Sequence, residues 1–224
     1  MAKSKDSNAG GGSSAANVAK QERSRKTQEK ILAAAFEIFG EYGYKGASIN
    51  MIAKHADVGQ PLVVYHFPTK EALWVNTVGW ALDGFFNQLQ INLDALQGLD
   101  PATRLCLIYK DFVRFSSKAP AMLEIMIDAN KRRENLLTQI VEEKLRPVYE
   151  RLCVLIESAQ KTGSMPSGDP GLIYYSLISV AATTFSLNRE FKKLTGKDPL
   201  SPDMVEAQAN LLARLFFPGV KQES

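Results

Sequence analysis

The chain has 224 residues, of which 45 % are apolar, and a formal net charge of +3. This composition allows one large domain, or a small domain joined to a larger one. It excludes an extended disordered protein. The two cysteines, Cys106 and Cys153, are too few for a disulfide scaffold or clustered metal ligands, so we expect free thiols, no metal and no cofactor. The richest apolar run, residues 174–185, falls short of the roughly 20 residues of a spanning helix, so we expect a cytoplasmic protein without a membrane partner.

Positive charge is concentrated toward the N-terminus. Residues 1–70 contain ten Lys or Arg and six Asp or Glu, whereas the remaining 154 residues contain 17 and 18. An N-terminal surface of this kind suits contact with a polyanion. The asymmetry by itself supports nucleic-acid binding only weakly.

The N-terminal third predicts a disordered tail followed by three helices. Residues 1–22 are rich in Gly, Ser, Ala and Asn and offer almost nothing to bury, which predicts a disordered tail. A helix follows from Lys26 and ends near Gly43, a residue that accepts a left-handed conformation. Ser48 is a natural N-cap for a second short helix, and Pro61 suits the first turn of a third that starts near Gln60. Two short helices joined by a tight turn and braced by a longer one predict a helix-turn-helix at 23–68.

The rest of the chain, 69–224, predicts a larger helical domain. Thr69 caps a long fourth helix, and the pairs at 100–101, 169–170 and 201–202 each place proline after a capping residue. Pro147 lies inside a continuous helical pattern, where we expect a kink. No segment alternates with a period of two, so the fold class is all-α. The later helices are predicted at 101–116, 119–130, 132–161, 170–194 and 202–217.

The segment from Ile31 to Leu73 resembles the DNA-binding region of the TetR family of transcriptional regulators. The resemblance is carried by Ala47-Ser48, Ile52-Ala53, Val58-Gly59 and the closing run from Tyr65 to Leu73. It implies that the third helix reads DNA. The chain departs from the family pattern at Leu62 and Val64, where threonine and tyrosine are common.

Roles on DNA follow from the chemistry of each side chain. Gln60 suits an adenine edge, and Pro61 and Leu62 suit thymine methyl groups in the major groove. The other side chains of the predicted DNA-binding set suit phosphate oxygens. For His66, packing within the protein is an equal alternative, and Lys70 could instead be a solvated lysine paired with a glutamate. The predicted DNA-binding residues are Thr27, Ser48, Gln60, Pro61, Leu62, Tyr65, His66 and Lys70.

The resemblance also implies that the last two helices dimerise and that the other C-terminal helices enclose an effector pocket. Small residues on the helix at 170–187 would let a second helix approach closely. Aromatic and Met residues at helical spacing are the pocket prediction, with ordinary core packing as the alternative. The predicted dimer residues are Leu172, Tyr175, Ser179, Ala182, Thr183, Val205, Leu212, Leu215 and Phe216. The predicted pocket residues are Trp74, Val78, Phe112, Met122, Met126, Tyr174 and Arg189.

These features predict a DNA-binding transcriptional regulator, acting as a repressor that binds a near-palindromic operator as a homodimer and is released by a small-molecule effector. We expect the effector to shift the fourth helix and so change the separation of the two recognition helices. The alternative is a helical ligand-binding or adaptor protein of the same fold that has lost specific DNA binding. Neither histidine lies beside a plausible nucleophile and no catalytic residues are evident, so we do not expect an enzyme.

Overall fold

The computed structural model describes residues 11–132 and 134–220, which contain helices and connecting turns and no strand, so the all-α prediction is confirmed. Helix α7 continues through a π-helical turn, Val141–Leu145, into α8. The helices are α1 (Gly11–Gly46), α2 (Ile49–His55), α3 (Gln60–His66), α4 (Lys70–Ala95), α5 (Pro101–Lys118), α6 (Met122–Arg132), α7 (Glu134–Ile140), α8 (Arg146–Lys161), α9 (Pro170–Ser186), α10 (Asn188–Thr195) and α11 (Pro202–Phe216).

Helix starts coincide with the predicted capping residues. Asp100 accepts a hydrogen bond from the Thr103 amide at 3.0 Å, and Asp169 accepts one from the Leu172 amide at 3.0 Å. Thr69 likewise accepts from the amide of the third residue after it. Each side chain satisfies an amide that has no partner within its helix. Local sequence therefore sets the beginnings of α4, α5 and α9.

Helix ends and breaks differ from the predictions at three places. Helix α1 begins at Gly11, so 11–22 are helical where a disordered tail was expected; residues 1–10 lie outside the described part. The pair Lys26–Glu22 at 3.0 Å, one helical turn apart, supports this extension. The pattern at 170–194 divides at Leu187 into α9 and α10. The expected break near Pro147 takes the form of the π-helical turn that ends just before α8.

Two hydrophobic cores share helix α4. The first unites α1, α2, α3, the start of α4 and α6, and the second unites α5, α8, α9 and α11. Leu73 and Val78 of α4 are fully buried in the first core, whereas Leu89 is buried in the second. The head formed by α1–α3 therefore does not end at residue 68, because its core includes side chains from α4 and α6.

The two cysteines are free thiols, as predicted. No single helix in the described ranges has both the length and the apolar character needed to cross a bilayer. Helices α9 and α10 meet that requirement only when joined, and they are bent by 68° relative to each other.

Candidate DNA-binding surface and effector cavity

Helix α3 is held by two buried side chains and presents its other faces to solvent. Val63 is 0 % exposed and Phe67 is 5 % exposed, and both belong to the core shared with α1 and α2. Tyr65 is 78 % exposed and Leu62 is 40 % exposed. Since apolar side chains gain free energy by leaving water, their exposure on a helix anchored by Val63 and Phe67 makes this face a candidate contact surface. Gln60 and Pro61 lie on the exposed start of the same helix.

Local backbone conformation sets the segment from the start of α2 to the start of α3. Ser48 caps α2 by accepting from the Met51 amide at 3.2 Å, as predicted. Asp57 has a φ of 48°, in the left-handed region that few residue types tolerate, and it reverses the chain between α2 and α3. Gly59 then takes an extended conformation ahead of Pro61. This geometry orients α3 relative to α2 without any contact from DNA.

Two predicted phosphate contacts already have partners inside the head. The ring Nδ1 of His66 lies 3.3 Å from the Gln28 amide nitrogen, and the imidazole is half-buried. The Thr27 hydroxyl donates to the Arg23 carbonyl at 3.0 Å, within α1. The packing alternative for His66 is therefore the one that its surroundings favour. Gln28 was not identified from the sequence, because nothing local indicates that α1 and α3 approach at this point.

Lys70 is placed as a brace at the start of α4. Its ammonium nitrogen donates to the Ala47 carbonyl, in the turn between α1 and α2, and lies 4.6 Å above the Tyr44 ring. Cation–π contact and a charge-assisted hydrogen bond both fix its position. The solvated lysine expected as the alternative is not what the structure contains, since Lys70 is half-buried.

A cavity of about 610 Å³ lies among helices α4 to α9. Four of the predicted pocket residues line it: Phe112, Met122, Met126 and Tyr174. The other three predictions are wrong. Trp74 and Val78 are 2 % and 0 % exposed and pack in the head core, and Arg189 lines a separate groove next to glutamates of α1, α6 and α10.

The cavity is largely apolar, with tyrosines as its main polar groups. Burial raises the pKa of Tyr109 and of Tyr174 above the ordinary tyrosine range, so both phenols are protonated donors at neutral pH. Tyr109 and Tyr149 were missed from the sequence. Tyr149 lies at the start of α8, where its ring meets that of Tyr174 edge-on at 5.1 Å. Only the packing of α5, α8 and α9 brings these rings to one volume.

Helices α9 and α11 leave an apolar surface uncovered. Leu172, Tyr175 and Leu215 are 71, 64 and 64 % exposed. Ser179 and Thr183 are exposed on the same helix, and Ala182 is partly buried and lines the cavity. The prediction is wrong for Val205 and Leu212, which are buried within the chain, and Phe216 packs partly against Tyr109. Val180 and Leu211, 40 and 48 % exposed, were missed.

Residues 31–75 match the family model described as bacterial regulatory proteins, tetR family. The match covers the C-terminal part of α1, all of α2 and α3, and the start of α4, which together form the surface described above. These residues therefore have the sequence of a TetR-type DNA-binding segment. The resemblance inferred from Ile31 to Leu73 is thereby confirmed.

The curated relatives that the chain matches are described as transcriptional regulators. It is 29 % identical over 153 residues to the uncharacterized HTH-type transcriptional regulator YuxN of Bacillus subtilis, covering 59 % of this chain and 52 % of that protein. It is 38 % identical over 64 residues to the HTH-type transcriptional regulator RutR of Escherichia coli, covering 27 % and 30 % respectively. The chain spans about half the length of the curated relatives it matches first.

The fold also has a counterpart among solved structures. The crystal structure of AibR in complex with isovaleryl coenzyme A and operator DNA superposes with a TM-score of 0.69, covering 86 % of this chain and 98 % of AibR. The two sequences are 17 % identical, so the likeness concerns the fold.

Proposed function

We propose that the protein is a cytoplasmic transcriptional repressor that binds a near-palindromic operator as a homodimer and is released by a small-molecule effector. The observation that carries the proposal is the exposed face of α3, whose opposite face is anchored in the head core by Val63 and Phe67. Binding, and no catalysis, is the proposed activity. The named relatives, which are HTH-type regulators, support this choice.

On this proposal α3 lies in the major groove. Gln60 reads an adenine edge, and Pro61 and Leu62 contact thymine methyl groups. Tyr65 and Ser48 contact phosphates together with the free amides at the start of α2. Lys70, His66 and Thr27 act on the same surface by holding it in shape, since each side chain already bonds within the head.

Dimerisation through α9 and α11 is supported by the uncovered apolar side chains there. Leu172, Tyr175 and Leu215 would be buried between two copies related by a twofold axis. Such a dimer places two recognition helices one helical turn of DNA apart, roughly 34–36 Å. An inverted-repeat operator follows from that symmetry.

The route from the cavity to the head is proposed to run through α4 and α6. Phe85 and Phe86 of α4 line the cavity, while Leu73, at its start, is buried in the head core. Helix α6 lines the cavity with Met122 and Met126 and also contacts α1 directly.

One hydrogen bond fixes the contact between α6 and the head. Asp128 of α6 accepts from the Tyr44 amide at 3.1 Å, just after Gly43 turns with a φ of 64°. An effector releases DNA only if it binds more tightly to an arrangement of α4 and α6 that separates the recognition helices.

The proposal is tested by selecting duplexes from a random pool and measuring affinity for the consensus by fluorescence anisotropy. We expect an inverted repeat, with affinity that falls steeply as salt rises. Replacing Gln60 and Tyr65 together by alanine should weaken specific binding by roughly 100-fold, because each base or phosphate contact is worth about 1–3 kcal/mol.

The matched control replaces Gln139 and Tyr42 by alanine, since these are an exposed glutamine and an exposed tyrosine on α7 and α1, away from α3. The control should bind the operator like the wild type. A protein that shows no preference for any duplex over bulk competitor would instead be the ligand-binding or adaptor protein of the same fold, and the repressor proposal would fail.

A further inference from the structure

Helix α1 leaves the head as an exposed, basic segment. Residues 17–30, which form the α1 extension, contain five Lys or Arg and two Glu. None of their side chains is buried, and Val18, the one large apolar side chain among them, is 59 % exposed. Because no apolar packing covers the α1 extension, its charges decide what it can bind.

The α1 extension runs past the recognition helix. The Gln28 amide nitrogen lies 3.3 Å from Nδ1 of His66, the last residue of α3. The Lys30 ammonium lies 3.6 Å from the carboxylate of Asp57, in the turn before α3. Helix α1 therefore meets both ends of α3 between residues 28 and 30. At about 1.5 Å per residue, 17–27 continue beyond this crossing for roughly 16 Å.

Two basic side chains of the α1 extension lack a carboxylate partner. The other three are paired at 3.0–3.6 Å: Arg25 with Glu29, Lys26 with Glu22 and Lys30 with Asp57. Lys20 and Arg23 are exposed and have no ion pair in the described part of the chain. These two side chains therefore carry the positive charge that the protein itself leaves uncompensated.

Helix periodicity places these two cations on the α3 side of α1. Arg23 lies seven residues, or two turns, before Lys30, and helical positions seven apart differ by about 20° around the axis. Arg23 therefore points to the same side as Lys30, which contacts the turn leading into α3. Lys20 stands one turn earlier and is a neighbour of Arg23 on the helix surface. Both cations lie next to the exposed surface of α3 and outside the head core.

The composition of the α1 extension suits a nucleic-acid duplex better than a membrane. A helix that lies on a bilayer needs an apolar face, and Val18 with Ala19 cannot form one. Duplex DNA carries one phosphate per about 1.7 Å of its axis, and Lys and Arg side chains that neutralise these phosphates release condensed counterions. The gain in affinity from this release requires cations that are free of other partners, as Lys20 and Arg23 are.

We propose that Lys20 and Arg23 bind phosphates of the operator beside the groove that α3 occupies. The inference rests on the proposed function for the identity of the duplex, and it adds a second DNA contact that does not read sequence. Each half of the dimer contributes two cations, so four phosphates are neutralised per operator. The α1 extension thereby raises the affinity for any duplex, while α3 selects the operator.

The test compares the wild type with the double variant Lys20→Ala, Arg23→Ala. Affinity for the selected operator and for a scrambled duplex of equal length is measured by fluorescence anisotropy between about 50 and 200 mM salt. Each neutralised phosphate contributes about 0.9 to the slope of log affinity against log salt, so the slope of the variant should be shallower by about 3–4. The ratio of wild-type to variant affinity should therefore be roughly 100-fold larger at the lower salt. Both duplexes should be affected alike, since phosphate contacts carry no sequence information.

Two further variants separate charge from structure. Lys192→Ala with Lys193→Ala removes the same charge from the exposed surface of α10 and should leave the slope unchanged. The exchange Lys20→Arg with Arg23→Lys keeps the charge, so it should retain the wild-type slope and an affinity within about twofold of the wild type. Alanine is the better helix former, so the double alanine variant at 20 and 23 should keep the helical circular dichroism of the wild type.

An unchanged slope in the Lys20→Ala, Arg23→Ala variant would overturn the inference, as would a loss confined to the operator or an equal loss in the α10 variant. Loss of binding to vesicles of anionic phospholipid in this variant, with duplex affinity unchanged, would assign the α1 extension to a membrane instead.

Failure of the proposed function is distinguishable from failure of this inference. A wild-type chain that prefers no duplex sequence would refute the regulator proposal, and the slope measured on the scrambled duplex would still test Lys20 and Arg23. An operator that the wild type and the variant bind with the same slope would refute the phosphate contacts alone.

Discussion

Gly40 of α1 lies where the head meets the turn before α6. A Cβ atom added at this position would stand 2.5 Å from the Cβ of Ala121, in the turn before α6. Apolar carbon atoms pack at about 3.5–4.0 Å, so Gly40→Ala must separate the two backbones by roughly 1 Å. The nearby bond from the Tyr44 amide to Asp128 would lengthen with them.

The expected change in the free energy of unfolding is obtained by comparison with Gly84→Ala in α4. Nothing lies within 4 Å of a Cβ added at Gly84, which is exposed. Each substitution gains about 1 kcal/mol of helix propensity, so Gly84→Ala should be stabilising by about that amount. Gly40→Ala also incurs overpacking of about 1–3 kcal/mol. The propensity gain is common to both variants, so Gly40→Ala should be less stable than Gly84→Ala by about 1–3 kcal/mol.

The assay is urea unfolding followed by circular dichroism at one fixed protein concentration, because dimerisation would otherwise shift the midpoint. The operator affinity of the two variants is measured in parallel, and Gly40→Ala should bind more weakly if α6 sets the position of the head. Equal free energies of unfolding for the two variants would refute the contact between α1 and α6 as described.

Two further predictions concern the packing of α11. Glu206 pairs with Arg114 of α5 at 2.7 and 2.8 Å, which lowers the pKa of the Glu206 carboxyl below its usual range. A depressed pKa contributes stability that is present above the unfolded pKa near 4.5 and is lost as the pH falls through the lower folded-state pKa. Glu206→Gln should therefore cost less than ~1 kcal/mol at pH 7, given the exposure of the pair, and the cost should shrink as the pH falls below 4.5. A loss of stability that does not depend on pH would contradict this origin. Leu215→Asp should raise the dimer dissociation constant, measured by sedimentation, by roughly 30-fold or more. The control Val154→Asp places the same charge at an equally exposed apolar position on α8 and should leave the dissociation constant unchanged. Equal effects of the two substitutions would refute dimerisation through α11.

The helix-turn-helix and the starts of the later helices could be predicted because their signals are local. Ser48, Thr69, Asp100 and Asp169 are capping residues whose partners lie three residues away. The spacing of Val63 and Phe67 likewise indicates which face of α3 is buried, since helix geometry places residues four apart on one side. These interactions need no knowledge of distant parts of the chain.

The cavity was predicted less well because it depends on how helices are placed. Trp74 and Phe112 have similar helical surroundings in the sequence, yet the first packs in the head and the second lines the cavity. Likewise Leu212 and Leu215 are three residues apart on α11, and only Leu215 is exposed. The rotation of each helix about its axis decides which side chains are buried and which line the cavity. Periodicity identifies the apolar face of a helix, but it does not identify the part of the chain that packs against that face.

The order of the helices, their starting residues and the buried side of the recognition helix were set by the amino-acid sequence, because capping and periodicity act within a few residues. The fold alone decided that Lys70 braces the turn beside Ala47, that α6 binds α1 through Asp128, and that the ring of Tyr109 packs against Phe216 and Phe217. Each of these contacts joins residues more than 20 positions apart or depends on several helices at once, and only packing brings such groups together.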